Sequence, residues 1–303
     1  MLRELYQSLT SEDLRERDIY EARRYEVGVS YRAGVLEVQR VKKAMNQYGL
    51  SIFPGGNPKI KDRAFASALG VPVPITYQQS VPLSSILLRP NTILKPVEGA
   101  ASKGVFYIDK NLDLRSVKSS KTYPTIYKAR EEIANYSGSI SGDRWILEQA
   151  ILDKDGDPAN DFKVFAFYGV AGMFLEIDRY TYRETRYATY DGNGDQIERG
   201  GKYVSFKGSG VPNELYALAE RISLASPVPV LRLDFHHGAD GLYLGEITPH
   251  PGGTYFGSQS EEIDRMLGRY LDDAKARLVA DLINGKQFPE FFNAYEARLS
   301  SQS

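Results

Sequence analysis

One stretch limits what this chain can become: Arg232-Leu-Asp234-Phe, followed by Gly245-Glu246-Ile-Thr248-Pro-His-Pro251-Gly252-Gly253. It reads as two short strands joined by a turn, then a Pro/Gly loop. Asp234 and Glu246 fall near facing ends of that pair. Two carboxylates held close together repel unless a cation lies between them. Hard cations such as magnesium take oxygen ligands and commonly accompany nucleotide phosphates. The pattern predicts a site for magnesium and a nucleotide.

Bulk properties leave that prediction standing. The chain has 303 residues, enough for two or three subdomains around a sizeable core. Hydrophobic residues make up 42% and charged residues 25%, the balance of an ordinary soluble protein. A net charge of −1 argues against a broad nucleic-acid footprint. The absence of cysteine removes disulfides, thiolate metal sites and cysteine nucleophiles together. The first residues, Met-Leu-Arg-Glu-Leu-Tyr-Gln, carry charges where a signal peptide would be apolar. No apolar run reaches the roughly 20 residues that cross a bilayer. The expectation is a cytoplasmic protein without a membrane span. The 21 tyrosines are dense between Tyr168 and Tyr203. They suit half-buried strands, and a polar platform for a sugar-like acceptor is the rival reading.

Periodicity predicts an α+β chain. Residues 1–50 read as helical, with a start at Thr10-Ser-Glu-Asp13 and a stop at Gly49. The stripe there is Leu36, Val38, Val41, Ala44, Met45 and Tyr48. A second helix is expected from Lys59 to Leu69, ended by Gly70. Thr92 to Lys95 and Val105 to Ile108 read as strands around the loop Gly99-Ala-Ala-Ser-Lys-Gly104. A helix is expected over 125–137 and an alternating strand from Arg144 to Gln149. Strands follow from Phe162 to Tyr168 and from Gly172 to Tyr180. Residues 181–210, rich in Gly, Arg and Lys, predict a long mobile hairpin or loop. Asn213 is expected to cap a helix with the stripe Leu215, Leu218, Ala219 and Ile222. Strands at 228–236 and 241–246 carry the opening motif. A last helix over 261–284 buries Ile263, Met266, Leu267, Tyr270, Leu271 and Leu278, and Asn284-Gly285 stops it.

Each remaining motif is weak alone. The glycine loop is not a Walker A loop, because no Gly-Lys-[Ser/Thr] follows. Nor is it a dinucleotide fingerprint, because a strand rather than a helix comes next. A small-residue hairpin can still fold backbone N–H groups over phosphates. Lys95 ends the strand before it and is placed to reach α- and β-phosphate oxygens; a solvated lysine is the ordinary alternative. Glu148-Gln149-Ala-Ile151 follows an apolar strand whose edge could read adenine. Asp161-Phe-Lys163 opens another strand. Its carboxylate suits ribose hydroxyls, its lysine suits phosphate or substrate, and a surface ion pair competes with both. His236, His237 and His250 lie near two carboxylates, but neighbouring strand residues point to opposite faces, which disfavours a shared metal. The chain has no Gly-x-Ser-x-Gly elbow, His-Arg-Asp or Asp-Phe-Gly.

Order supplies what the single motifs lack. Lysine strand, glycine hairpin, Glu-ended strand, Asp-x-Lys strand, Arg-x-Asp strand and Glu-x-x-Pro loop follow one another between roughly residues 57 and 260. This order resembles the ATP-grasp superfamily. Asp161-Phe-Lys-Val-Phe-Ala-Phe-Tyr-Gly169, Arg232-Leu-Asp-Phe and Tyr243-Leu-Gly-Glu-Ile-Thr248 are similar to its teichuronopeptide-biosynthesis, or TupA-like, branch. The resemblance implies an α+β ATP-grasp fold in which two α+β subdomains clamp the nucleotide. A helical, partly α/β N-terminal region would span 1–88, a lid with the glycine loop 89–150 and a catalytic subdomain 151–303. ATP and Mg2+ would be the cofactors. Lys95 would meet the α/β-phosphates, under a cover made by Gly99, Ala100, Ala101, Ser102, Lys103 and Gly104. Glu148, Gln149 and Ile151 would line the adenine pocket, with Asp161 at the ribose. Asp234 and Glu246 would bind magnesium, Glu246 bridging two ions. Many relatives carry Asn where this chain has Thr248, a weaker ligand. Arg232, with Lys163, would serve catalysis by stabilising oxyanion charge.

The implied chemistry is carboxylate–amine ligation: ATP phosphorylates a carboxylate, and an amine attacks the acylphosphate. The expected partners are a small-molecule or saccharide carboxylate, such as a uronic acid, and an amino acid, with no nucleic acid and a homodimer as the assembly. Arg179, Arg183, Arg186 and Lys202, with Arg199 and Lys207, are candidate anion contacts. His250 and Gly252 are candidate acceptor contacts in the Pro/Gly loop. Two other outcomes fit the same fold: a phosphotransferase that stops after the first step, and a nucleotide-binding module without turnover.

Overall fold

Two antiparallel sheets organise the chain, seen in a computed structural model that describes residues 29–47, 58–99, 102–136, 140, 142–179, 185–199, 204–249, 251 and 260–296. Helix α1 (Tyr31–Gln47) and helix α2 (Pro58–Ala68) come first. The first sheet takes β1 (Thr76–Val81), β2 (Thr92–Pro96), β3 (Phe106–Ile108), β4 (Leu114–Ser116), β5 (Thr122–Tyr123) and β6 (Trp145–Gln149), with helix α3 (Ile126–Ala134) inserted before β6. Its strand order is β1-β6-β2-β3-β4-β5. The second sheet takes β7 (Asp161–Ala166), β8 (Ala171–Asp178), β9 (Arg186–Asp191), β10 (Gln196–Ile197), β12 (Leu231–Gly238) and β13 (Gly241–Pro249) in the order β10-β9-β8-β7-β12-β13. A short strand β11 (Val204–Ser205) lies parallel to β9. Helices α4 (Asn213–Leu224), α5 (Glu261–Ile283) and α6 (Pro289–Glu296) complete the fold.

Each sheet buries its own core. In the first, Leu94, Phe106, Leu147 and Trp145 pack with Ala129 of α3. Strand alternation then sends Ile93 and Lys95 to the other face of β2. In the second, Phe162, Val164, Phe174, Leu233 and Phe235 pack with Leu215, Ala219 and Ile222 of α4. Three hairpin turns share one spelling, Asp-x-Asn/Asp-x-Asp, at 109–113, 153–157 and 191–195. In each, the first aspartate accepts the N–H groups two and four residues on, at 2.8–3.0 Å. The short carboxylate closes the turn as an Asx motif does.

Several expectations change. Of the two forms expected for 181–210 the structure has the hairpin, β9–β10, with Ala188 and Tyr190 buried against the second sheet. Asn213 is the first residue of α4 rather than its cap; Pro212 precedes it and makes no side-chain cap. The buried side of α1 is Tyr31, Ala33, Val35 and Ala44, while Val41 of the expected stripe is exposed. Contact with α5 decides this: the N-terminus of α1 lies on Gly268, and Tyr31 meets Phe165 and Phe167 edge-on at 6.2 and 6.0 Å. Strand β1 lies before the expected boundary at residue 88 yet pairs with β6 in the first sheet. Helix α6 had no sequence signal in the reading above. The expected helix start at 10–13, the stop at Gly49 and Tyr48 lie outside the described residues. Among the described residues, no helix is long and apolar enough to cross a membrane.

Helix α2 sits between the sheets. Phe65 packs edge-on against Phe291 and Tyr295 of α6 at 5.5 and 5.9 Å. Asp62 accepts hydrogen bonds from the Ile247 N–H of β13 at 3.0 Å and from the Tyr295 hydroxyl at 2.5 Å. Burial, outweighing those two bonds, pushes the Asp62 carboxyl up to about 7, with Glu246 and Asp234 adding to the rise.

Two outcomes follow from this packing. A Cβ at Gly268 would lie 2.9 Å from the Ser30 carbonyl carbon and the Tyr31 nitrogen. Gly268→Ala gains about 1 kcal/mol of helix propensity but overpacks backbone at a cost of about 1–3 kcal/mol. Urea unfolding should show net destabilisation; an unchanged or stabilised variant contradicts this packing. Asp62 titrates above its unfolded value, so it supports the fold in acid and withdraws that support as pH rises through about 7. Between pH 5 and 8 the wild-type Tm should fall by roughly 3–6 °C relative to Asp62→Asn. Parallel Tm–pH curves would refute the buried placement.

Candidate active site

Strand register builds one wall of a cleft. Lys163 on β7 lies directly across from Asp234 on β12, and Asp234 directly across from Glu246 on β13. Residues two apart on a strand share a face. Asp161 and Lys163, Arg232, Asp234 and His236, and Glu246 and Thr248 therefore project together. The register slips between Asp234 and Phe235, so that Gly245 is the extra residue of a bulge. A Cβ at Gly245 would lie 2.9 Å from His236 Nε2, so glycine here makes room for the imidazole.

The other wall comes from the first sheet and α2. Ile93, Lys95 and Glu148 face Lys163 and Asp234 across a cleft of about 510 Å³, with Lys59 at one end and Gly99, Ser102 and Lys103 from the glycine loop at the other. Six cationic side chains line it (Lys59, Lys95, Lys103, Lys163, Arg179 and Arg232) against four carboxylates (Glu148, Asp161, Asp234 and Glu246). The surplus of positive charge suits a polyanion such as a triphosphate.

Most of these charges are paired within the protein. Asp234 is bound by Lys163 and by Arg232, whose Nε and Nη2 reach it at 2.6 and 3.0 Å. Burial works to raise the Asp234 carboxyl, but Lys163 and Arg232 hold it below the usual carboxylate range. Desolvation works to raise the half-buried Asp161 as well, but Arg179 at 2.7 Å with His236 Nδ1 at 2.9 Å holds it well below that range. Glu148 takes Lys95 at 2.7 Å and also Arg63. Burial, then Arg63 and Lys59, drives the Lys95 ammonium well below its ordinary value. Burial likewise lowers Lys59, which donates to the Pro96 carbonyl at 2.9 Å. Such a corner favours an added anion.

Glu246 differs from the other carboxylates. It is exposed and makes no hydrogen bond or ion pair with a described residue. With Asp234 directly across and Thr248 two residues on, the oxygen donors suit magnesium, which is commonly held by one or two carboxylates plus phosphate and water. Among the described residues no group of three His, Cys, Asp or Glu side chains could hold a metal ion. His236 meets Asp161, whereas His237 lies edge-on to Phe162 at 5.9 Å, so the two imidazoles diverge.

The cleft thus gathers Lys95, Gly99, Ser102, Lys103, Glu148, Asp161, Lys163, Arg179, Arg232, Asp234, Glu246 and Thr248. It does not gather Gly104, Gln149, Ile151 or Arg186. Gly104 packs under the loop, where a Cβ would lie 2.8 Å from Ile140 and 3.5 Å from Trp145. Gln149 turns to the sheet edge and accepts the Ile75 N–H at 3.3 Å. Ile151 is buried beside Gly238. Arg186 lies across from Asp178, on the face of the sheet opposite Asp161, and pairs with Asp178 at 2.7 Å. Arg199 is buried over the Tyr187 ring, and Lys207 is exposed away from the cleft. Ala100, Ala101, Arg183, Lys202, His250 and Gly252 lie outside the described residues.

Sequence reasoning missed Lys59 in the cleft and Arg63 behind it, and weighed His236 only as a metal ligand, not as the partner of Asp161. Lys59 and Arg63 are four apart and share a helix face, which was readable; that this face meets a lysine strand was not.

A sequence model described as TupA-like ATPgrasp matches residues 72–272. No curated protein matches the chain. Solved structures similar to it include VanG D-Ala:D-Ser ligase from Enterococcus faecalis, at 15% identity and TM-score 0.45, covering 78% of this chain and 68% of that one. D-alanine–D-alanine ligase from Bacillus anthracis complexed with ATP is similar at 14% identity and TM-score 0.44, covering 82% and 75%. The ATP-grasp ligase PsnB complexed with a minimal precursor is similar at 14% identity and TM-score 0.43, covering 78% and 68%. The family match spans well over half of the sequence and contains nearly all of the cleft: the chain belongs to the TupA-like ATP-grasp family and has its α+β fold.

Proposed function

We propose that the protein is an ADP-forming carboxylate–amine ligase. The row Lys163–Asp234–Glu246 on one sheet, facing Lys95 and the glycine loop on the other, carries this reading. In the first step a carboxylate oxygen attacks the γ-phosphorus of ATP. The bond from that phosphorus to the β-bridging oxygen breaks, and ADP leaves. In the second step an amine nitrogen attacks the acyl carbon, the bond to the phosphate oxygen breaks, and phosphate leaves with the amide formed and a proton released.

Both steps gather negative charge on oxygen, so catalysis is mainly positioning and fixed positive charge. Lys95 and Lys59 bind phosphate oxygens from the lid side. Lys163 and Arg232 exchange their hold on Asp234 for the transferring phosphoryl group and the acyl oxygen. Magnesium, held by Asp234 and Glu246 beside the Thr248 hydroxyl, would screen the triphosphate charge. Ser102, Lys103 and Gly99 cover the phosphates and exclude water that would hydrolyse the acylphosphate. Asp161 and Glu148 serve the ribose and base. Arg179 binds the acid. The acid in this reading is a uronic-acid saccharide or another small carboxylic acid, the amine is an amino acid, and the ATP requirement places the reaction in the cytoplasm.

An ADP-release screen of candidate acids crossed with amino acids, with mass detection, tests the proposal. Amine-dependent ADP release with an amide product is expected; a stable phosphorylated product that forms without an amine would identify a phosphotransferase instead. Glu246→Gln should lower ADP formation by about 100-fold or more with the fold intact, the scale of losing a fixed charge at a developing oxyanion. Full turnover in that variant rules out the magnesium role. Lys95→Ala should weaken ATP binding about tenfold, the scale of one charge-assisted contact. An unchanged nucleotide Kd would remove Lys95 from the phosphate site.

A further inference from the structure

Strand β13 carries Glu246 and Thr248, and among the described residues no strand covers its outer edge. An open edge leaves N–H groups in need of partners. Here two are taken by the chain that precedes the first sheet. Leu244 N–H donates to the Pro72 carbonyl at 2.8 Å, and Ile247 N–H donates to Asp62 Oδ2 at 3.0 Å.

The second contact has costly chemistry. Asp62 is 2% exposed, lies near Glu246 and Asp234, and has no ion-pair partner among the described residues. Lys59, Arg63 and Lys95 attract it only without direct contact, burying such a carboxyl opposes folding, and one backbone N–H could be satisfied by a hydroxyl or an amide. What the carboxyl adds is a second acceptor. Its Oδ1 receives the Tyr295 hydroxyl. Tyr295 is itself fixed: it stacks on Phe291 at 4.5 Å, meets Phe65 edge-on, and its carbonyl accepts Lys61 Nζ at 2.9 Å. Asp62 therefore joins a rigid aromatic block on α2 and α6 to one peptide of β13.

That peptide joins Glu246 to Ile247. The Ile247 nitrogen follows the Glu246 carbonyl, so holding its N–H restrains ψ of Glu246 and φ of Ile247, and with them the course of the strand from Glu246 toward Thr248. The bulge at Gly245 falls immediately before it, where the regular ladder to β12 is interrupted. The strand segment holding the exposed carboxylate has lost part of its hold on one side and gains a fastening on the other.

We propose that Asp62, held by Tyr295, is a positioning residue for Glu246 and Thr248. It touches neither nucleotide nor ion and acts through one backbone N–H. The inference rests on the reading of Glu246 as a magnesium ligand.

The test uses the full-length chain. Mn2+ affinity is measured by electron paramagnetic resonance with saturating AMPPNP, and AMPPNP affinity in EDTA by calorimetry. Asp62→Ala should weaken Mn2+ binding about tenfold, the usual scale for groups behind a metal ligand, and leave metal-free AMPPNP binding within about twofold. Asp62→Asn keeps an acceptor for Ile247 N–H and should stay within about twofold of wild type, with Tyr295→Phe between the two. A folded Asp62→Ala with wild-type Mn2+ affinity overturns the proposal. So does an equal loss of Mn2+ and of metal-free AMPPNP binding, which marks general destabilisation. Should Asp62→Ala fail to fold, Tyr295→Phe decides, and unchanged Mn2+ affinity in that variant overturns the proposal. A wild type that binds AMPPNP but takes up no Mn2+ defeats the magnesium assignment and this inference with it. That failure appears in the wild type, whereas failure of the positioning role appears only in the variants.

Discussion

The structure turns on a row of charges across three strands, with Lys163, Asp234 and Glu246 side by side. Asp234 is stable in a buried position because Lys163 and Arg232 surround it. A buried carboxylate stripped of its cations would cost several kcal/mol. The same two cations are the groups a phosphoryl group would recruit. The protein therefore holds these charges against one another in pairs that a polyanion and a divalent cation could exchange without leaving a bare charge. Glu246, outside these pairs, is the carboxylate still open to an incoming cation.

Helix α2 links this row to the opposite sheet. Within five residues, Lys59 reaches the Pro96 carbonyl and Arg63 reaches Glu148 on one side, while Asp62 reaches Ile247 on the other. Neither sheet alone has the cleft. The first contributes Lys95 and Glu148, the second contributes the carboxylate row, and α2 holds both at one spacing. The region before the first sheet thus belongs to the site's architecture, and β1 from the same region completes that sheet.

The glycine loop shows how small residues divide their work. Gly99, Ser102 and Lys103 face the cleft, while Gly104 fills a narrow gap against Ile140 and Trp145. A loop read from its sequence as one cover lines the cleft at one end and is a packing joint at the other. A glycine letter does not say whether backbone freedom or lack of bulk is being used.

By itself the sequence determined which residues share a strand face. Period-two alternation put Arg232 beside Asp234 and Asp161 beside Lys163, and the order of these strands was enough to name the fold; Thr248 joins Glu246 on one face because β13 runs past the expected end at 246 to Pro249. Only the tertiary structure decided which faces meet. Arg186 lies on the outer face because it stands across from Asp178. Gln149 and Ile151 turn from the cleft because β1 and Gly238 claim them. Lys59 and His236 enter it because helix α2 and a bulge at Gly245 bring them there, and Arg63 of the same helix pairs with Glu148 from outside the lining. Local periodicity fixes direction along one element, whereas a site forms where elements distant in sequence pack together, and no short-range pattern carries that distance.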